Sequence, residues 1–206
     1  MRRKMRRLAA AFGLSLMISG PATAQGTRGA YGADGYGFVE AVKQRDTSKV
    51  LNYLQANGTA MLNFRNDKGE GALHVVTARR DGEWLAFFLS RGGDPNVGNG
   101  TGDTPLHLAA RSGWDEGIKT LLDYRAGVDR TNRLGETPLI VAVQARQVPM
   151  IRRLLEAGAN PDRRDSASGR SARDYARLDQ RSGTAILQLM DSVKGRAVRA
   201  VAGPKL

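Results

Sequence analysis

The sequence predicts an all-α solenoid of stacked helix–turn–helix units with short hairpin-like fingers, and three observations predict it. Related decapeptides begin at Gly69 (GEGALHVVTA), Gly102 (GDTPLHLAAR) and Gly135 (GETPLIVAVQ), each 33 residues after the last. The apolar positions Leu85, Phe88 and Leu89 recur at the same interval as Ile118, Leu121 and Leu122, and again as Ile151, Leu154 and Leu155. Within each interval, helix-start signals, a break and turn residues follow in a constant order. A fixed period of this length marks units that cannot bury an apolar face alone and stack into one continuous core.

The elements of one unit follow from its residues. Thr104 is a helix cap, and Pro105 sits where its missing N–H costs nothing. Leu106, Ala109 and Ala110 then face inward, the alanines letting this inner helix lie close to its neighbours. Gly113 breaks the helix. Ile118, Leu121 and Leu122 next present one apolar face at helical spacing, which predicts an outer helix. After a turn, Asn132 and Gly135 open the finger of the following unit.

The end units are weaker, as solenoid caps are. Phe38, Val39, Ala41 and Val42 predict an inner helix, and Val50, Tyr53 and Leu54 an outer one, with about two extra residues in the turn between Asn57 and Leu62. At the other end Gly169 to Ala176 occupies the motif position, shifted by one residue, and Arg173 stands where a core leucine is expected, a replacement that suits a solvent-facing cap. Ile186, Leu189 and Met190 complete the last outer helix.

The motif residues resemble the ankyrin repeat. Thr104-Pro105-Leu106-His107-Leu108-Ala109 fits the T-P-L-H-x-A signature of that family, Thr137-Pro138-Leu139 repeats its first half, and Gly92-Gly93-Asp94 and Gly158-Ala159-Asn160 are similar to its G-A-D/N turn. The resemblance spans Tyr36 to Asp191 and divides it into five repeats at 36–65, 66–98, 99–131, 132–164 and 165–191. It implies that His74 and His107, 33 residues apart, hydrogen-bond backbone in the adjoining turn. The third copy has Ile140 at that position, which no shared metal or catalytic site would tolerate. The resemblance further implies a partner surface made of finger tips and the concave face of the inner helices. By position this surface includes Lys68, Asp103, Arg133 and Leu134 at the tips, and Arg79 and Arg111 on the inner helices. Leu134 is a large apolar residue at a tip expected to face water, and apolar and arginine side chains dominate interface energetics.

Residues 1–24 read as an export signal. Arg2, Arg3, Lys4, Arg6 and Arg7 form a basic start, Leu8 to Ile18 an apolar stretch short for a bilayer span, and Ala22-Thr23-Ala24 a cleavage site before Gln25. The bacterial style of the signal predicts a periplasmic or secreted protein with no transmembrane segment after cleavage. Residues 25–35, rich in glycine, read as a flexible leader, and 192–206 as a basic disordered tail. The whole chain carries 32 basic and 20 acidic residues; the signal holds five of the basic ones, leaving 27 against 20, or +7. Export places nucleic acid out of reach, so none is expected as a partner. The chain contains no cysteine, which excludes thiol catalysis and thiolate metal sites, and about 150 stacked residues bury enough apolar area without disulfides.

No nucleophile elbow, phosphate loop or H-E-x-x-H motif occurs in the sequence. The acidic residues Asp67, Glu70, Asp103 and Glu136 fall on finger tips, without the burial or close like-charged neighbour that acid–base work requires. No catalytic residue, cofactor or metal is therefore expected. The reading is a monomeric, non-catalytic scaffold that binds an envelope protein. Periplasmic bacterial ankyrin proteins associated with peroxide defence are similar in size and export signal, which implies support of an oxidative-stress enzyme such as catalase. The alternative is a binder of anionic envelope polymer or lipid through the basic surface and tail.

Three arginines depart from the family pattern. Arg80 and Arg146 occupy the slot of Gly113, and Arg125 the slot that Gly92 and Gly158 fill. A left-handed cap disfavours arginine by about 1 kcal/mol, so a rearranged turn is expected at Arg125, with a basic rim as the other reading. Of the two tryptophans, Trp84 is expected to be buried in the core or between repeats and Trp114 half exposed.

Overall fold

A computed structural model describes residues 32–202 of the chain. The expected signal segment, the leader up to residue 31 and the last four residues lie outside the described residues. Ten α-helices occur among the described residues: α1 (Gly32–Gln44), α2 (Thr47–Asn57), α3 (Ala72–Ala78), α4 (Gly82–Ser90), α5 (Pro105–Ser112), α6 (Asp115–Asp123), α7 (Pro138–Gln144), α8 (Val148–Glu156), α9 (Ala172–Leu178) and α10 (Gly183–Ala202). A 3₁₀ turn, Thr59–Asn63, takes up the two extra residues after α2 and buries Met61 and Leu62. The odd-numbered helices pack in series as an inner layer, while α4, α6, α8 and α10 form the outer layer.

The core runs unbroken along the stack. Phe38, Leu85, Phe88, Leu106, Ile118, Leu121, Leu139, Ile140, Ile151 and Leu154 are wholly buried. Burying each such side chain contributes about 1.5–3 kcal/mol. Small residues hold the inner layer close: Ala109, Ala110, Ala142, Ala172 and Ala176 are also wholly buried.

The histidines tie adjoining repeats. His107 Nδ1 accepts from the Thr104 amide at 3.1 Å and lies 2.8 Å from the Thr104 hydroxyl. With Nδ1 an acceptor, Nε2 carries the proton and donates to the Glu136 carbonyl at 3.0 Å. His74 repeats the arrangement between the Gly71 amide and the Asp103 carbonyl. Burial pushes both imidazoles below their usual pKa and keeps them neutral.

Five expectations are corrected. The leader was expected to reach residue 35, but α1 starts at Gly32. Gly35 and Gly37 serve close packing there, since a Cβ on them would overlap the Phe64 ring and the Tyr53 hydroxyl. The tail expected to be disordered from residue 192 continues α10 to Ala202. Arg173 does not face solvent freely. Its side chain is 14% exposed and bridges Asp162 at 3.1 Å and Asp191 at 2.7 Å, joining α9 to α10. Trp114 is 8% exposed because its ring lies over Gly117, where a Cβ would collide with it; Trp84 is only partly buried.

The turn at Arg125 is not rearranged. Arg125 adopts φ +62°, and the Ala126 amide reaches the Leu121 carbonyl at 2.9 Å, matching Gly93 to Phe88 at 3.0 Å and Ala159 to Leu154 at 2.9 Å. The four non-glycine residues with positive φ among the described residues are all arginines: Arg45, Arg80, Arg125 and Arg146. Three stand in the slot of Gly113, and each of those three reaches the next repeat. Arg45 meets Asp81 at 2.6 Å, Arg80 donates to the Ser112 carbonyl, and Arg146 meets Asp179 at 2.8 Å. The contact to the next repeat offsets the backbone strain.

Candidate binding surface

Each finger is built by one asparagine and one glycine. Asn66, Asn99 and Asn132 accept through Oδ1 from two amides of their own finger: Lys68 and Glu70, Thr101 and Asp103, Leu134 and Glu136. Their own amides donate to the carbonyls of Glu70, Asp103 and Glu136. Gly69, Gly102 and Gly135 turn the chain with φ of +71°, +82° and +78°, a region costly for any residue with a Cβ. In the fourth finger Asp165 takes the asparagine role, holding the Ser168 and Gly169 amides. Desolvation pushes its carboxyl up, and hydrogen bonds from Ser168, Tyr175 and Gly169 outweigh that, so its pKa is lowered.

The fingers stack by backbone. Arg133 donates its amide to the Thr101 carbonyl at 3.0 Å, and the Leu134 carbonyl accepts from Ser166 and Ala167 at 2.9 and 3.2 Å. The tips are therefore fixed in place before any partner arrives, which lowers the ordering cost of binding.

The predicted contact residues divide into two groups. Lys68 and Arg133 are exposed at tips, and Leu134 is 53% exposed with its backbone held on both sides. Arg79 keeps 28% of its side chain exposed, but its guanidinium is engaged within the fold. Its Nη1 donates to the Val42 and Lys43 carbonyls at 2.6 and 2.9 Å, and its Nη2 lies 3.5 Å from Asp81, so it staples α3 to α1. Asp103 is 4% exposed and occupied by Asn132 and Arg111, each at 2.9 Å. Burial pushes its carboxyl up, but those two hydrogen bonds prevail and its pKa is lowered. Arg111 keeps about half its side chain exposed while paired to Asp103.

A regular pair lines the inner face. Asp103 meets Arg111 eight residues on, and Glu136 accepts from Gln144, also eight residues on, at 2.9 Å. Glu70 is met instead by Lys43 of the preceding repeat at 2.7 Å. In the last repeat these positions hold Arg170 and Leu178, and Leu178 is 62% exposed. Sequence reasoning missed Leu178, although the one-residue shift that places Gly169 in the motif also puts Leu178 in the slot that Arg111 and Gln144 fill in their repeats. Among the described residues no group of three or more His, Asp or Glu could hold a metal ion, and no helix is long and apolar enough to cross a membrane.

The comparisons agree with this geometry. Residues 73–165 match the family model for ankyrin repeats in three copies. The chain is 29% identical over 111 residues, 47% of its length, to transient receptor potential cation channel subfamily A member 1 of Homo sapiens. It is 34% identical over 70 residues, 34% of its length, to an ankyrin repeat protein of Acanthamoeba polyphaga mimivirus. The matched stretches cover 10% and 17% of those two relatives, so the chain spans only a small part of their length.

Proposed function

The chain belongs to the ankyrin-repeat family, whose repeats are protein–protein interaction modules, and from that premise we propose that it is a non-catalytic scaffold exported to the periplasm. It binds one protein of the cell envelope through its finger tips and inner face. The observation that carries this reading is Leu134: an apolar side chain, 53% exposed, on a finger whose backbone is pinned by Asn132 and Ser166. A rigid apolar anchor is suited to burial against a partner, where it contributes about 1.5–3 kcal/mol.

Export rests on the basic, apolar and A-x-A segments of residues 1–24. The likeness to periplasmic ankyrin proteins of peroxide defence favours an oxidative-stress enzyme such as catalase as the partner. Affinity capture from a periplasmic extract, with wild type and Leu134→Asp side by side, tests the reading. A discrete protein retained by wild type and lost with Leu134→Asp supports it; a protein retained equally by both contradicts it.

A second reading, attachment to anionic envelope polymer or lipid, is favoured by the excess of basic residues toward the C-terminus. Salt separates the two, since polyanion binding weakens steeply with ionic strength and an apolar-anchored protein interface does not.

A further inference from the structure

Charge is divided unevenly along the stack. Residues 32–121 contain ten Lys and Arg against eleven Asp and Glu, a net −1, whereas residues 122–202 contain fifteen against nine, a net +6. The division is sharpest on the inner face. The slot that holds an acid in three repeats, Glu70, Asp103 and Glu136, holds Arg170 in the last. The residue eight positions on, which neutralises or caps that acid in Arg111 and Gln144, is there the exposed Leu178. The two slots of an internally satisfied polar pair are thus filled by a cation and an exposed apolar side chain.

The preceding finger presents the same combination, Arg133 beside the exposed Leu134. The acids around them are already engaged: Glu136 by Asn132 and Gln144, Asp165 by Ser168 and Tyr175, Asp174 by Ser171 and Arg177. The guanidinium groups of Arg133 and Arg170 make no hydrogen bond or ion pair among the described residues. These two cations are left for something outside the fold.

We propose that the C-terminal half of the finger edge and inner face, marked by Arg133, Leu134, Arg170 and Leu178, is a docking site for an acidic protein segment that carries apolar side chains. Arginine pairs bidentately with carboxylates, and the two leucines supply the apolar area that a bare polyanion would leave unused. The site rests on the protein-binding reading above and adds to it where the partner sits and what chemistry it brings.

The test is binding of the mature chain to an array of glutamate-rich peptides that differ in the placement of two leucines. Parallel arrays replace the leucines by serine or the glutamates by lysine, and anionic phospholipid vesicles form a separate arm. Members with both glutamate and leucine are expected to bind. Arg133→Glu with Arg170→Glu should weaken them by about tenfold or more, and Leu134→Asp with Leu178→Asp likewise, while Lys119→Glu on outer helix α6 leaves them unchanged. All five positions are exposed, and circular dichroism verifies that each variant stays folded. Three results overturn the proposal: no acidic peptide binding above the lysine array, binding that is indifferent to the leucines, or vesicles bound with the same arginine dependence. A natural partner captured equally by wild type and the Arg133→Glu, Arg170→Glu variant also overturns this site, yet leaves the protein-binding reading intact.

Discussion

Arg146 reaches from the third full repeat onto Asp179 of the next, its Nε 2.8 Å from the carboxylate, and does so from a left-handed backbone at φ +55°. Hydrogen bonds from Arg146, Ser182 and the Arg181 amide hold the Asp179 carboxyl far below the usual carboxylate range. Arg45 makes the matching bridge to Asp81. Glycine at these positions would relax the turn and lose the link, whereas arginine accepts strain and gains a contact across the repeat boundary.

That balance distinguishes two arginines. Arg125 has the same left-handed backbone, but its side chain makes no hydrogen bond or ion pair among the described residues. Arg125→Gly should stabilise the fold by about 0.5–1 kcal/mol, the relief of strain less the added freedom of the unfolded chain. Arg146→Gly should gain less or lose stability, since the Asp179 bridge goes with it. Urea unfolding of both variants measures the difference.

Core packing gives a larger effect. Leu106 is wholly buried between neighbouring repeats, so Leu106→Ala should leave a cavity costing about 2–5 kcal/mol. Chemical denaturation followed by circular dichroism reads it directly.

Stability should fall on acidification in two windows. His74 and His107 have pKa values lowered from 6.5 by burial, so the unfolded chain binds protons that the folded chain refuses. The stability they confer is present above pH 6.5 and is lost as pH falls toward their folded values. Asp103, Asp165, Asp174 and Asp179 are likewise lowered from 3.8, and their contribution is lost as pH drops below about 4. Thermal melts from pH 8 to 3 should show both losses, and His74→Gln with His107→Gln should flatten only the upper one.

Export has its own check. N-terminal sequencing of the protein from its native compartment should find Gln25 as the first residue. An intact Met1 on a membrane-bound species would mean that the first segment is an anchor.

The repeat period, the paired helices and the tip position of Leu134 were legible because they depend on spacing alone. The fate of Arg79 and Asp103 was not, since it depends on how far a side chain reaches across a repeat boundary. Arg79 finds the α1 carbonyls of Val42 and Lys43, and Asp103 is closed off by Asn132, 29 residues on. The glycines at 35 and 37 look like flexibility in a sequence and become close packing only once Phe64 and Tyr53 lie against them. Leu178 was legible in principle, by carrying the one-residue shift of the last repeat through to the end of α9.

The most direct test of the binding surface is photo-crosslinking in the native compartment, with a photoreactive residue at position 134 and, as a control, at Lys119 on the exposed side of outer helix α6. A partner held at the finger tips gives one discrete protein adduct from position 134 and none from 119. No adduct from 134, or equal adducts from both positions, would contradict a partner site on the fingers.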